Sequence, residues 1–295
     1  MNTARKSKLK GISYILLAAF FFCLMTVFVK LSGDLPTMQK VFFRNAVAAV
    51  IATGTLIRSE EKFKIKKTSW GDLFMRSIAG ALGMIANFYA IDKLGLADSN
   101  ILNKMSPFFA IIMSYFLLKE KPNKVEWGCV ALAFIGAVFV IKPTAGIASM
   151  PALIGLIGGF GAGLAYTYVR RLGKKGERGP VIVFFFSTFT SLVTLPNLIF
   201  NYTYMTPQQW LFLILAGCAA AGGQFSITAA YTHAPAKEIS VFDYTQVLFA
   251  AILGFFIFDN RPDVFSFLGY FIIIGTAVFK WQYNLKQTEQ LEETA

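Results

Sequence analysis

Apolar positions in this chain come in long runs rather than in alternation. Read with a window of about 19 residues, ten runs stand out, near 11–31, 37–57, 72–92, 97–118, 124–142, 148–169, 180–200, 208–231, 236–258 and 264–282. Each is close to the ~20 residues with which a helix crosses the ~30 Å hydrocarbon core of a bilayer. Lipid offers the backbone no water, so such runs cross as helices or as closed barrels. Barrel strands alternate in character over about ten residues, and these runs do not. The expectation is an all-α integral membrane protein with ten transmembrane helices and no room for a soluble domain. The run from Gly11 to Leu31 follows a basic start (Arg5, Lys6, Lys8, Lys10), but it is long enough to span. It therefore reads as a first transmembrane helix and not as a cleaved leader.

Composition supports this. Of 295 residues, 56% are hydrophobic and only 15% charged, where soluble domains carry about 25%. The net charge of +12 reads as membrane orientation rather than nucleic-acid binding. With the N-terminus in the cytoplasm, twenty Lys and Arg fall on the cytoplasmic side, among them Arg58, Lys62, Lys64, Lys66 and Lys67 and the group Arg170, Arg171, Lys174, Lys175 and Arg178. Five (Lys30, Lys40, Lys93, Lys142 and Arg261) fall on the other side. The expectation is a multi-pass protein of the cell membrane with both termini cytoplasmic. Cys23, Cys129 and Cys218 are scattered through apolar runs and His233 is the only histidine, so neither a disulfide framework nor a metal-ligand set is legible.

The chain also aligns with itself. At a shift of 140 residues Trp70 falls on Trp210, Gly83 on Gly223, Phe109-Ala110 on Phe249-Ala250, and Pro122 on Pro262. Five helices is an odd number, so the second unit runs inverted relative to the first. The expected organisation is a cytoplasmic tail (1–10), a first five-helix repeat (11–143), an inverted second repeat (148–282) and a cytoplasmic tail (283–295). Many secondary transporters share this plan, with the substrate near the midplane.

Polar groups deep in a spanning helix are costly and usually face an aqueous cavity. Helix 4 carries Asn100, Asn103, Lys104 and Pro107 on one face, and helix 9 carries Ser240, Asp243, Tyr244 and Val247 at the same spacing, with Gln246 beside them. Straight helices would hold Lys104 and Asp243 about 10 Å apart along the membrane normal, too far for a simple ion pair without tilt or bending. They read as two subsites flanking the midplane or, alternatively, as a structural pair between helices. Arg44 reads first as support for helix packing and otherwise as a substrate contact, while Asn87, and Gln224 with Thr228 and Tyr231, read either as cavity lining or as interhelical hydrogen-bonding groups. Arg76, four residues past Asp72, is explained by snorkelling or an i,i+4 pair. Tyr166 and Tyr168 read as interfacial anchors or part of a gate. Gly155, Gly159 and Gly163 read as a helix-packing stripe.

These residues resemble the drug/metabolite transporter superfamily, in its ten-helix EamA-type group, over roughly residues 10–282. The carriers of the resemblance are Phe42-Phe43-Arg44, Gly80-x-x-Gly83-Met84, the stretch from Leu96 to Pro107, Leu118-Lys-Glu-Lys-Pro122, Gly136 and Ile141-Lys-Pro143, with Asp259-Asn-Arg-Pro262 as an imperfect echo. The resemblance implies a cavity between the two halves and alternating access, and says little about the substrate. The expected function is a secondary transporter of a small organic metabolite, amino-acid-like or carboxylate-bearing, because Lys104 and Arg44 outnumber the deep acids of the outer half. Asp243 would meet a substrate amine or carry a coupling proton, and no cofactor is expected. Alternatives are a multidrug or amine exporter of the same fold, an intramembrane enzyme or a passive channel. The enzyme is disfavoured by the lack of paired acids or an activated nucleophile.

Overall fold

The protein is described here by a computed structural model covering residues 3–94, 100, 102–141, 150–258 and 263–293. Ten helices occur among the described residues: α1 (Thr3–Leu31), α2 (Thr37–Ile57), α3 (Trp70–Leu94), α4 (Ser106–Leu118), α5 (Lys124–Ile141), α6 (Met150–Lys174), α7 (Gly179–Phe200), α8 (Pro207–His233), α9 (Ala236–Phe258) and α10 (Val264–Glu293). Eight of them are long and apolar enough to cross a membrane, and α4 is a shorter apolar helix of 13 residues. Ten spans of one kind were expected. The difference is greatest at α4, which a turn at Lys104 and Met105 precedes. Pro143 and the Asp259–Pro262 echo lie outside the described residues.

α9 is not one straight helix. It opens with the α-helical turn Ala236–Ile239, tightens to a 3-10 segment at Ser240–Tyr244, and resumes as α-helix from Thr245 to Phe258. The outer ends of α1, α6 and α10 run past their apolar cores into basic or acidic sequence, because the hydrogen-bonding ladder of a helix continues into water where hydropathy no longer marks it. α8 is started by Thr206, whose hydroxyl accepts from the Gln209 N–H at 3.3 Å while Thr206 N–H donates to Gln209 Oε1 at 2.9 Å, a reciprocal capping box.

α1 packs along α8 and α3 along α6, while α2 lies on α7 and α5 on α10. α6 is the crowded centre of this arrangement. A Cβ on Gly161 would sit 2.7 Å from both Ala79 O and the Gly83 Cα, and one on Gly158 would lie 3.0 Å from Gly83 O and Asn87 N. On the neighbouring face, a Cβ on Gly163 would meet Ala110 N, Phe109 Cβ and Ser106 O at 2.7 Å, and Gly159 meets Leu102 O in the same way. Gly163 therefore packs against α4 and Gly155 and Gly159 against Leu102 in the segment that precedes it, with Ala90 of α3 also close to Gly155, while Gly158 and Gly161 make a second stripe against α3.

The basic connections gather at one end of the bundle. Arg178 donates to Lys62 O and Lys64 O at 2.7 and 2.9 Å, Lys175 reaches Asp72 at 2.6 Å, and Arg170 and Lys174 both hold Glu120, at 3.2 and 2.6 Å. The start of α1 joins them through Ser7, which donates to His233 O at 2.8 Å, and the end of α10 joins through Asn284, which donates to Glu238 O at 3.2 Å. At the opposite end Gln39 Nε2 donates to Thr203 O at 2.8 Å and Gln209 Nε2 to Ser32 O at 3.2 Å. Large apolar side chains such as Val50, Leu82, Phe116, Ile157, Leu192 and Phe271 point outward along the sides of the bundle, as a lipid-facing surface requires.

Candidate functional site

A cavity of about 300 Å³ opens among α1, α2, α3 and α6 and reaches the breaks that precede α4 and interrupt α9. Val29, Thr37 and Lys40 line it toward the end where α1 finishes and α2 starts. Arg76, Phe186 and Gln224 line it toward the basic end. Below them Tyr166 stacks on Tyr231 with ring centroids 4.9 Å apart and planes at 16°. Further down, Arg170 binds Glu120 and donates to Thr232 O at 3.0 Å. The hollow is thus closed toward the basic end by an aromatic layer backed by an ionic one.

Lys104 and Asp243 meet directly. The ammonium lies 3.0 Å from Asp243 Oδ2, 3.3 Å from the Asp243 carbonyl and 2.7 Å from Gln246 Oε1. The straight-helix estimate that kept them about 10 Å apart is corrected here. Lys104 sits in the turn before α4 and Asp243 in the 3-10 segment of α9, so neither obeys the register of a continuous α-helix, and the long lysine side chain covers the remaining gap. Tyr244 was expected on the cavity wall and is not there. It is fully buried, and its hydroxyl donates to Lys104 O at 2.9 Å, so it ties the two breaks together from behind. Asp243 lines the cavity with its Oδ2 held by Lys104.

Asn100, Asn103, Arg44, Asn87, Gln224 and Gln246 all line the cavity. Thr228 and Tyr231 are buried beside it rather than on its wall. Arg76 departs from expectation. Asp72 is taken by Arg171 and Lys175, and Arg76 turns inward. It is 2% exposed, donates to Gln224 Oε1 at 3.1 Å and lies 3.9 Å over the Phe186 ring. Gly80 makes room for it, since a Cβ there would collide with the Arg76 guanidinium and, at 2.7 Å, with Phe186. Arg76, Gly80, Gly83 and Asn87 recur at i, i+4, i+7 and i+11 on α3, so helical periodicity carried the signal that the i,i+4 pairing with Asp72 masked. Tyr166 is likewise a cavity residue and not an interfacial anchor.

Arg44 is the least satisfied of these groups. Its Nε is buried without a partner, and Arg44 makes no hydrogen bond or ion pair to the described residues. The Nε of Arg76 and Oδ1 of Asn87 are also buried and unpartnered. Arg44, Arg76 and Tyr166 line the same cavity. Among the described residues the cavity lining holds one ion pair, Lys104–Asp243, the two guanidinium groups of Arg44 and Arg76 with no carboxylate against them, and Lys40 toward its other end.

An apolar helical bundle enclosing a charged hollow closed toward one end is the build of a membrane carrier. The chain belongs to the EamA-like transporter family, which matches residues 9–142 and again 149–280, and it is a multi-pass membrane transporter of the drug/metabolite type. It is 30% identical to the pseudopaline exporter CntI of Pseudomonas aeruginosa over 91% of this chain and 94% of that protein. It is 26% identical to human solute carrier family 35 member G1 over 94% of this chain and 81% of that protein. One solved crystal structure superposes with a TM-score of 0.76 over 92% of this chain and 95% of its own, at 14% identity, which is a likeness of fold.

Proposed function

We propose that this protein is a secondary transporter of a small organic metabolite bearing a carboxylate, and that it works by alternating access through two inverted five-helix halves. The observation that carries the reading is the cavity itself, built by helices of both halves, carrying charged and amide side chains on its wall, and backed toward the basic end by the Tyr166–Tyr231 stack and the Arg170–Glu120 pair. Support for the inverted halves comes from the packing. Exchanging α1–α5 for α6–α10 turns the α1–α8 pairing into α6–α3 and leaves α2–α7 and α5–α10 unchanged. Lys30 meets the end of α9 over the Phe258 ring at 3.9 Å, as Arg170 meets the end of α4 at Glu120.

The distribution of Lys and Arg supports a cytoplasmic basic end, with both tails there, so that the cavity faces outward in this conformation. Inward opening then requires the Tyr166–Tyr231 stack and the Arg170–Glu120–Lys174 cluster to separate. The test is solute counterflow in proteoliposomes: saturable exchange of a carboxylate solute, abolished when a crosslink holds Tyr166 to Tyr231 through paired cysteines, is the expected result. Linear flux that never saturates would make the protein a channel and overturn the proposal.

A further inference from the structure

We infer that the substrate is a small organic dianion with two carboxylates, held by Arg44 and Arg76 together, rather than a zwitterion or a cation. This rests on the transporter reading above and deepens it. Guanidinium groups stay protonated in proteins, so Arg44 and Arg76 are charged in every state of the cycle. Taking such an ion out of water is costly unless a counter-charge is supplied. The described part of the cavity supplies none: its one carboxylate, Asp243, is bound to Lys104 at 3.0 Å. A single carboxylate forked onto one arginine leaves the other unanswered, whereas two carboxylates answer both and fit the planar donors of each guanidinium.

The acceptor inventory points the same way. Gln246 Oε1 is spent on Lys104 and Gln224 Oε1 on Arg76. Besides the Asp243 carboxylate, whose Oδ2 Lys104 already holds, a substrate ammonium would find neutral amide oxygens such as the unpartnered Asn87 Oδ1, while facing two guanidinium groups. The positive excess therefore selects against amines and weakens the binding of amino acids. A cavity of about 300 Å³ lies at the small end of ligand sites and suits a short dicarboxylate.

The test uses the full chain reconstituted in vesicles, with counterflow and thermal shift measured for succinate and glutarate, butyrate, glycine, glutamate and putrescine. Succinate or glutarate should exchange and stabilise the protein, glutamate more weakly, and butyrate, glycine and putrescine least. Arg44→Gln and Arg76→Gln should each weaken dicarboxylate binding about tenfold or more and narrow the gap between dicarboxylate and monocarboxylate. Arg44→Lys, which keeps the charge but not the fork, should fall between. If a charge-neutral variant does not fold, its lysine counterpart provides the comparison. Equal or better exchange of butyrate, glycine or putrescine overturns the dianion while leaving the transporter standing. Dicarboxylate exchange indifferent to both arginines, or no dicarboxylate response at all, also overturns it. Failure of every solute class to show saturable exchange instead removes the transporter reading.

Discussion

Replacing Asp243 with Asn removes the one counter-charge that Lys104 meets among the described residues, while keeping size and polarity. The ammonium retains the Asp243-position carbonyl and Gln246 Oε1, but it loses the 3.0 Å charge-assisted contact to Oδ2. Removing one partner from a buried pair costs about 3–5 kcal/mol. Both side chains keep slight access to the cavity, 11% and 12%, so the lower end applies, about 3 kcal/mol. At roughly 2 °C per kcal/mol for a chain of this length, Asp243→Asn should lower the Tm by about 6 °C. Lys104→Gln should cost less, about 1–2 kcal/mol, because the carboxylate it frees faces the positive Arg44 and Arg76. The double variant removes both charges, and the cycle should give a coupling of about 2 kcal/mol. A thiol-reactive fluorophore reads the unfolding, since Cys23 and Cys129 are buried, and Cys218, which is exposed, can be changed to Ser to lower the background. A coupling below about 0.5 kcal/mol, or a larger loss from Lys104→Gln than from Asp243→Asn, would refute this account of the pair.

Other expectations follow from the packing and the closed end. Gly161→Val should cost about 3 kcal/mol or prevent folding, since its Cβ would lie 2.7 Å from backbone atoms of α3. Gly54→Ala, with nothing within 4 Å of the added carbon, should be neutral or stabilising by up to about 1 kcal/mol, which the same thermal assay reads. Glu126→Gln should destabilise more than Asp243→Asn, because Glu126 and its partner Lys280 are each only 1% exposed as side chains. Equal losses in the two variants would contradict that ranking. Glu120→Gln releases Arg170 and Lys174 together, so a cysteine placed at Thr232 should label faster from the basic end than in the parent, and an unchanged labelling rate would show that this cluster does not hold the end shut.

Much of the fold is legible in the hydropathy pattern because lipid imposes one rule on every spanning segment. The ends of α2, α5, α7 and α8 fall within a residue or two of the apolar runs. What hydropathy does not carry is how a helix is interrupted. Nothing in the run 236–258 separates a 3-10 turn at Ser240–Tyr244 from continuous α-helix, and from that came both the wrong spacing of Lys104 and Asp243 and the misplacing of Tyr244. Polar residues far from any helix end, such as Asn87, Asn103 and Gln224, were recognisable because a bilayer leaves them few places to point. Arg76 was harder: a nearby acid in sequence offered a sufficient partner, and only the tertiary claim of Arg171 and Lys175 on Asp72 turned it inward. Tyr166 was obscured for a related reason, since a tyrosine near a helix end suits both an interface and a gate.

The two uncompensated guanidinium groups have an electrical consequence. A vacant carrier that reorients around Arg44 and Arg76 shifts two positive charges relative to the transmembrane field, each worth about 2.3 kcal/mol per 100 mV if moved across all of it. The proposed dianion would cancel that pair. Under the proposed alternating access, the loaded swing would then be nearly indifferent to voltage, whereas the vacant return would not. Membrane potential would thus act on the half of the cycle in which nothing is carried, and a current transient should appear when solute is absent and fade as it saturates.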